Sequence, residues 1–445
     1  MRFSSIITSL TAISISLTAA HPSNAQYHLA QASPPPLQTS EWNSNISIRL
    51  FAELEELARI VDISYCVGTT GIWKPFECAS RCDEFPNFEL VDTFNTGPLM
   101  SDSCGYIVLD HEKKRRGHGR IVVAFRGTYS IANTIVDLST IPQEYVPYPG
   151  SPDNSSDPNR MPKQKHQSHS FLDLIPRLPR LWKSKSKVIK DEPAKVKCSN
   201  CTVHTGFWTS WQNTRPFVIG HLEYLRGKYP DYSLDLVGHS LGGAVAALAG
   251  LEFDALGWKP TVTTFGEPRV GNSGLRNYVD GVFELPRGNA STKGPNESRY
   301  RRVTHVDDPV PLLPLQEWGY RAHAGEVYIA KPALQPTISD IRLCFGDEDV
   351  NCIAGAEVDE SWFEGSADIR SSSSDEPELE TSSGSSIVQK RWGLPARYKI
   401  WQLFFAHRDY FWRLGLCVPG GDPFDWGRNR YNFGNGSDQE VKNDL

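Results

Sequence analysis

From Ser47 onward the run IRLFAELEELARIVDISYC sets Leu50, Leu54, Leu57, Ile60 and Val61 three and four residues apart, with Glu and Arg between them. That spacing keeps apolar side chains on one helical face, so a helix opens the folded region. Further along, the pattern changes to short apolar runs of strand length: GYIVLD at 105–110, RIVVAF at 120–125, SLDLVG at 233–238, TVTTF at 261–265 and EVYIA at 326–330. The first two flank the polar turn KKRRGHG and predict a hairpin. The later ones are separated by helical patterns, which predicts crossover connections and a mostly parallel sheet. The expected fold class is α/β, a mostly parallel central sheet flanked by helices and carrying two long inserted loops.

Those insertions stand out by composition. Residues 143–197 are rich in Pro, Ser and Lys, and from Arg160 to Lys197 there are 11 Lys/Arg against 3 Asp/Glu. The second spans 347–390; its first part, 347–380, holds 12 Asp/Glu against the single Arg370, and the Ser-rich tract SSSSDEPELETSSGSS begins within it at Ser371. Segments so polar and so unevenly charged read as loops within one domain. The pair Lys390-Arg391 just after the acidic tract reads as a dibasic processing site.

The chain ends are different again. After Met1-Arg2, the uncharged run FSSIITSLTAISISLTAA ends in small residues and gives way to HPSNAQ, the pattern of a signal peptide over 1–20, with cleavage as late as Ala25 as the alternative. Residues 26–45 read as a flexible, polar, Pro-rich arm, 46–420 as the main folded domain, and 421–445 as a C-terminal tail. No later stretch approaches the roughly 20 apolar residues of a membrane span, so no transmembrane segment is expected. Of 445 residues, 39% are hydrophobic, ample for a large core, and 46 Lys+Arg against 52 Asp+Glu leave a net charge of −6, which argues against a nucleic-acid partner. No signal for an oligomeric state is present.

Nine cysteines and six N-x-S/T sequons, at Asn45, Asn154, Asn200, Asn289, Asn296 and Asn435, fit an oxidising, extracellular destination. The close pairs Cys78/Cys82, Cys198/Cys201 and Cys344/Cys352 each suit a loop clip. Cys198-x-x-Cys201 is also half of a zinc site, but no second CxxC or HxxxH follows, so neither metal nor cofactor is expected.

The sharpest chemical signal is GHSLGG, where Gly238, Ser240 and Gly242 satisfy G-x-S-x-G between the strand candidate SLDLV and the small-residue helix AVAALAGLEF. This is the context of a nucleophile elbow, a turn so sharp that glycine is needed two residues to either side of the serine. A serine alcohol is a weak nucleophile and needs an imidazole to take its proton and a carboxylate to orient that imidazole, following it in chain order. The carboxylate candidates are Asp307 and Asp308, where YRRVTHVDDPVPLLP ends a strand-like run in acids and prolines; the histidines beyond them are His323, which starts or flanks the next strand, and His407 in FFAHRDYFW. His239, adjacent to Ser240, reads as structural.

With these motifs in place the chain resembles the class 3 lipases, the filamentous-fungal triacylglycerol lipase group of the α/β-hydrolase fold. The landmarks, in order, are FRGTYS at 125–130, VHTGF at 203–207, LVGHSLGGA at 236–244, TFGEPRVGN at 264–272 and THVDDPVPLLP at 304–314, with HRDYFWRLGLC at 407–417 similar to the family's final triad segment. The resemblance implies Ser240 as nucleophile, Asp308 as acid, His407 as base, and an oxyanion hole from Thr128 and the N–H of Leu241. It also implies disulfides Cys66–Cys417, Cys78–Cys82 and Cys344–Cys352, and leaves Cys104, Cys198 and Cys201 unassigned. The segment SIANTIVDL falls where the family has a helical lid, with Ile131, Ile135 and Leu138 on one face.

The implied function is a secreted serine lipase that cleaves acylglycerol esters through an acyl-enzyme, its lid opening at an oil–water or membrane interface. A feruloyl esterase or other soluble carboxylesterase, or a phospholipase A1, are the alternatives on the same fold. The basic insertion departs from the family. Its FLDLIPRLPRLWKSKSK mixes apolar and cationic residues as interface-binding segments do.

Overall fold

Side chains of a strand alternate between its two faces, and here both faces are covered. In the computed structural model, residues 46–96, 103–112, 117–128, 142–148, 196–286, 298–355, 405–429 and 431 are described. The leader and arm, the lid residues Ile131, Ile135 and Leu138, most of both insertions, Lys390-Arg391 and most of the tail lie outside the described residues.

Eight strands form the central sheet in chain order: β1 (Phe88–Asn95), β2 (Cys104–Asp110), β3 (Arg120–Arg126), β4 (Ser233–His239), β5 (Thr261–Phe265), β6 (Tyr300–His305), β7 (Glu326–Ile329) and β8 (Ile341–Leu343). Strands β3 to β7 are parallel, while β1 and β2 at one edge and β8 at the other pair antiparallel. The predicted hairpin is the β2–β3 pair, with Leu109 opposite Ile121 and Gly105 opposite Phe125. The fold is the α/β architecture expected from the sequence.

On one face, α1 (Ile48–Ile63) and the segment from Tyr410 to Leu414 pack on Tyr106, Val108, Val122 and Ala124. On the other, α2 (Thr205–Lys228), α3 (Leu241–Ala255) and α4 (Ser273–Val282) cover Ile107, Leu109, Ile121, Val123 and Phe125. Burial on both sides is why β2 and β3 read as continuous apolar runs.

Helix α1 begins at Ser47, whose hydroxyl caps the Leu50 N–H at 3.1 Å. It also anchors the end of the domain. Glu55 accepts from Trp412 Nε1 at 2.6 Å, Asp62 accepts from the Gly415 N–H at 2.8 Å, and Cys66 is bonded to Cys417 across a separation of 351 residues. The other disulfides are Cys78–Cys82, Cys198–Cys201 and Cys344–Cys352, while Cys104 is buried, outside these bonds, with its thiol donating to Asn95 Oδ1 at 2.9 Å.

In a parallel sheet the connections after the strands gather at one edge, and that edge carries the chemistry. The register places Phe125 beside Gly238, His239 beside Phe265, and Phe265 beside Val303. The chain segments just after β3, β4, β5 and β6, bearing Thr128, Ser240, Gly266 and Asp308, therefore leave the sheet from neighbouring positions.

Candidate active site

Between β4 and α3 the backbone reverses within one residue. Ser240 takes φ 58 and ψ −129, a region that costs a non-glycine residue about 1–3 kcal/mol. The flanking glycines make that turn possible: a Cβ on Gly238 would lie 2.2 Å from the Gly242 carbonyl oxygen, and one on Gly242 would lie 2.3 Å from that of Phe125. The Ser240 N–H is held by the Phe265 carbonyl at 2.9 Å. Leu241 opens α3, so its N–H belongs to the first turn, where donors have no acceptor within the helix.

The end of β3 presses against the same turn. A Cβ on Gly127 would fall 2.8 Å from Ser240 Cβ, so the chain passes the serine with no room for a side chain before half-buried Thr128.

Of the two adjacent acids, Asp307 is exposed and Asp308 buried. Asp308 Oδ1 accepts from the Val310 N–H at 2.9 Å, and Oδ2 accepts a short hydrogen bond from the Tyr410 hydroxyl. His407 Nδ1 lies 3.0 and 2.9 Å from the two carboxylate oxygens. Burial alone would push the Asp308 carboxyl up, but His407, Tyr410 and Val310 together outweigh it and hold the group below its ordinary value. An ionised carboxylate only accepts, so Nδ1 carries a proton and Nε2 is the nitrogen left to exchange one. That Nε2 is buried and makes no hydrogen bond.

His239 does not compete for the role of base. Its Nδ1 meets the Tyr65 hydroxyl at 2.5 Å and its Nε2 the His407 carbonyl at 2.8 Å, while its ring stacks on His407 with centroids 4.7 Å apart. A carbonyl cannot donate, so Nε2 is the protonated nitrogen and Tyr65 donates to Nδ1. Burial above all, with His407 beside it, brings its pKa down to about 3.

His323 lies in a separate buried cluster, its Nε2 3.0 Å from Glu267 Oε1 and its Nδ1 2.7 Å from the Ala324 carbonyl. Glu267 also accepts from Thr264 and Tyr300 at 2.6 and 2.8 Å. Of the residues expected from the sequence, Asp308 is thus paired with His407, whose ring stacks on His239 next to Ser240, and Gly127 before Thr128 lies against Ser240, while Asp307 faces solvent and His323 is paired with Glu267. Sequence reasoning did not single out Tyr65 or Tyr410. Their signals were their places beside Cys66 and three residues after His407.

The comparisons bear on what this arrangement belongs to. Residues 122–318 match the family model described as Lipase (class 3). The secreted mono- and diacylglycerol lipase 2 of Gibberella zeae is 51% identical over 428 residues, covering 94% of this chain and 92% of that protein. The chain belongs to the class 3 lipases. Lipase A of Sodiomyces alcalophilus is likewise 51% identical, over 406 residues that cover 88% of each chain. Among solved structures, the Lip2 lipase of Yarrowia lipolytica matches this class 3 lipase with a TM-score of 0.58 at 27% identity, covering 84% of this chain and 97% of that one. Membership places the sheet and its elbow in the α/β-hydrolase fold and the protein among the carboxylic ester hydrolases.

Proposed function

We propose that the protein is a secreted lipase that hydrolyses acylglycerol esters, partial glycerides among them, with Ser240 as nucleophile, His407 as general base and Asp308 as its orienting acid. The observation that carries this reading is the His407 imidazole: one nitrogen is fixed by a buried carboxylate, and the other is left without a partner on the side chain stacked against the elbow. A buried polar atom without a partner costs about 1–3 kcal/mol, which is retained where the atom has work to do.

In the proposed reaction the Ser240 hydroxyl adds to the ester carbonyl as its proton passes to His407 Nε2. The resulting oxyanion is held by the N–H groups of Thr128 and Leu241. Collapse expels the alcohol, which takes the proton from Nε2, and leaves an acyl-serine. Water then adds to the acyl carbonyl, its proton going to Nε2, and collapse returns that proton to Ser240 Oγ as the acid leaves. The segment with Ile131, Ile135 and Leu138 serves as the lid, its apolar face favouring an oil–water or membrane interface. The Gibberella zeae relative, a secreted mono- and diacylglycerol lipase, supports the inclusion of partial glycerides and the secreted location.

The test is a panel of mono-, di- and triacylglycerols, phospholipid and feruloyl ester, with organophosphonate labelling of the wild type and Ser240→Ala. Hydrolysis of the acylglycerols, with labelling lost in the variant, is the expected result. A protein inert on every acylglycerol, or still labelled without Ser240, overturns the reading.

A further inference from the structure

Arg126 ends β3 with its side chain 2% exposed. Its Nε donates to the carbonyl of the next residue, Gly127, at 3.1 Å, and its Nη1 donates to the Val67 carbonyl at 2.6 Å. Burying a guanidinium is costly, and this one spends two of its donors on neutral main-chain oxygens. The choice of oxygen matters. The Gly127 carbonyl and the Thr128 N–H belong to a single peptide unit, and the cis bonds among the described residues lie elsewhere. A trans peptide is planar with C=O and N–H pointing opposite ways, so a bond that fixes one fixes the direction of the other. A cationic donor on the oxygen also draws density from the nitrogen and strengthens the N–H as a donor.

Two contacts leave this peptide little room to turn. Gly127 sits against Ser240 as described, with a Cβ there also falling 2.6 Å from the Tyr65 hydroxyl. Val67 follows Cys66, so the second anchor of the guanidinium is attached to the disulfide that holds the end of the domain.

We infer that Arg126 is a positioning residue for ester hydrolysis, its guanidinium orienting and polarising the Gly127–Thr128 peptide so that the Thr128 N–H donates to the oxyanion formed at Ser240. The inference rests on the roles proposed above for Ser240 and Thr128. It needs no contact between Arg126 and substrate. Because the interaction strengthens only as charge builds on the oxygen, its loss lowers kcat and leaves KM nearly unchanged.

A merely structural role is separated by substrate chemistry. A thionoester puts sulfur where the oxyanion forms, and sulfur accepts hydrogen bonds weakly, so a thionoester gains little from a well-aimed N–H. The experiment measures kcat and KM for a soluble short-chain ester and its thionoester in the wild type, Arg126→Met, which keeps the bulk, and Arg126→Lys, which keeps the cation but cannot span both carbonyls. The expected result is a fall in kcat on the oxygen ester of about tenfold or more, and a much smaller fall on the thionoester, so that the oxygen-to-sulfur rate ratio contracts. Arg126→Lys should lie between the wild type and Arg126→Met, and it alone is read if Arg126→Met does not fold. An unchanged ratio in the folded variant, whether both rates fall together or neither falls, overturns the inference. Organophosphonate titration of each variant and of Ser240→Ala keeps the two readings apart: loss of label only in Ser240→Ala preserves the nucleophile assignment whatever the ratio does.

Discussion

Two imidazoles stacked 4.7 Å apart hold opposite assignments because each ring nitrogen has a different partner. His407 donates a hydrogen bond from Nδ1 to Asp308 and leaves Nε2 without a partner, whereas His239 has both nitrogens engaged and a pKa near 3. In an unfolded chain His239 titrates around 6.5, so between about 6.5 and 3 the unfolded state takes up a proton that the folded state refuses. Acid therefore removes stability through this residue, by up to about 1.4 kcal/mol per pH unit in that window. Replacing it by Gln should flatten the pH dependence of the urea midpoint between 6.5 and 3.5. A slope as steep as that of the wild type would show that His239 is not the group responsible. Ser240 was legible because the steric demand of the elbow is local, written into Gly238 and Gly242. The choice of Asp308 over Asp307 turns on which side of a strand end faces inward. Tyr65 and Tyr410 meet their partners across 174 and 102 residues, beyond the reach of any spacing rule.

At the level of elements, the strands with apolar side chains on both faces were readable, and the edges were not. Strand β1 alternates between buried and exposed residues only at its ends, with half-buried Val91, Asp92 and Thr93 between, and β8 has three residues, too irregular or too short for either period to register. The segment carrying His407, Ala406–Arg408, is a single 3₁₀ turn, too short to hold its own place. It is fixed from behind by α1, through Glu55, Asp62 and the Cys66–Cys417 bond. Replacing both of these cysteines with serine should lower unfolding free energy by about 2–5 kcal/mol. Hydrolysis should fail at a lower temperature than the far-UV circular dichroism of the sheet, because the His407 segment loosens first. Coincident loss of the two signals would show that the bond stabilises the fold without separately holding the base.

For the whole molecule, the surface charge is divided along the chain, with an overall −6 masking a basic and an acidic insertion. Anionic vesicles should bind the protein through the basic one, and the binding should weaken as salt is raised over a Debye length of about 10 Å at 0.1 M. Deleting residues 150–195 is expected to abolish the salt-sensitive part of that binding, read by vesicle co-sedimentation, while hydrolysis of a soluble ester persists. Undiminished sedimentation of the deletion variant would assign the attraction elsewhere.

The bond between Cys66 and Cys417 also sets a clock on synthesis. Ribosomes add about 5–20 residues each second, so the 351 residues between the two thiols take roughly 20 to 70 s to emerge. Over nearly half of that interval the proposed nucleophile already exists while its base has yet to be translated. On the proposed triad, the nascent lipase stays inactive until its last segment has been made.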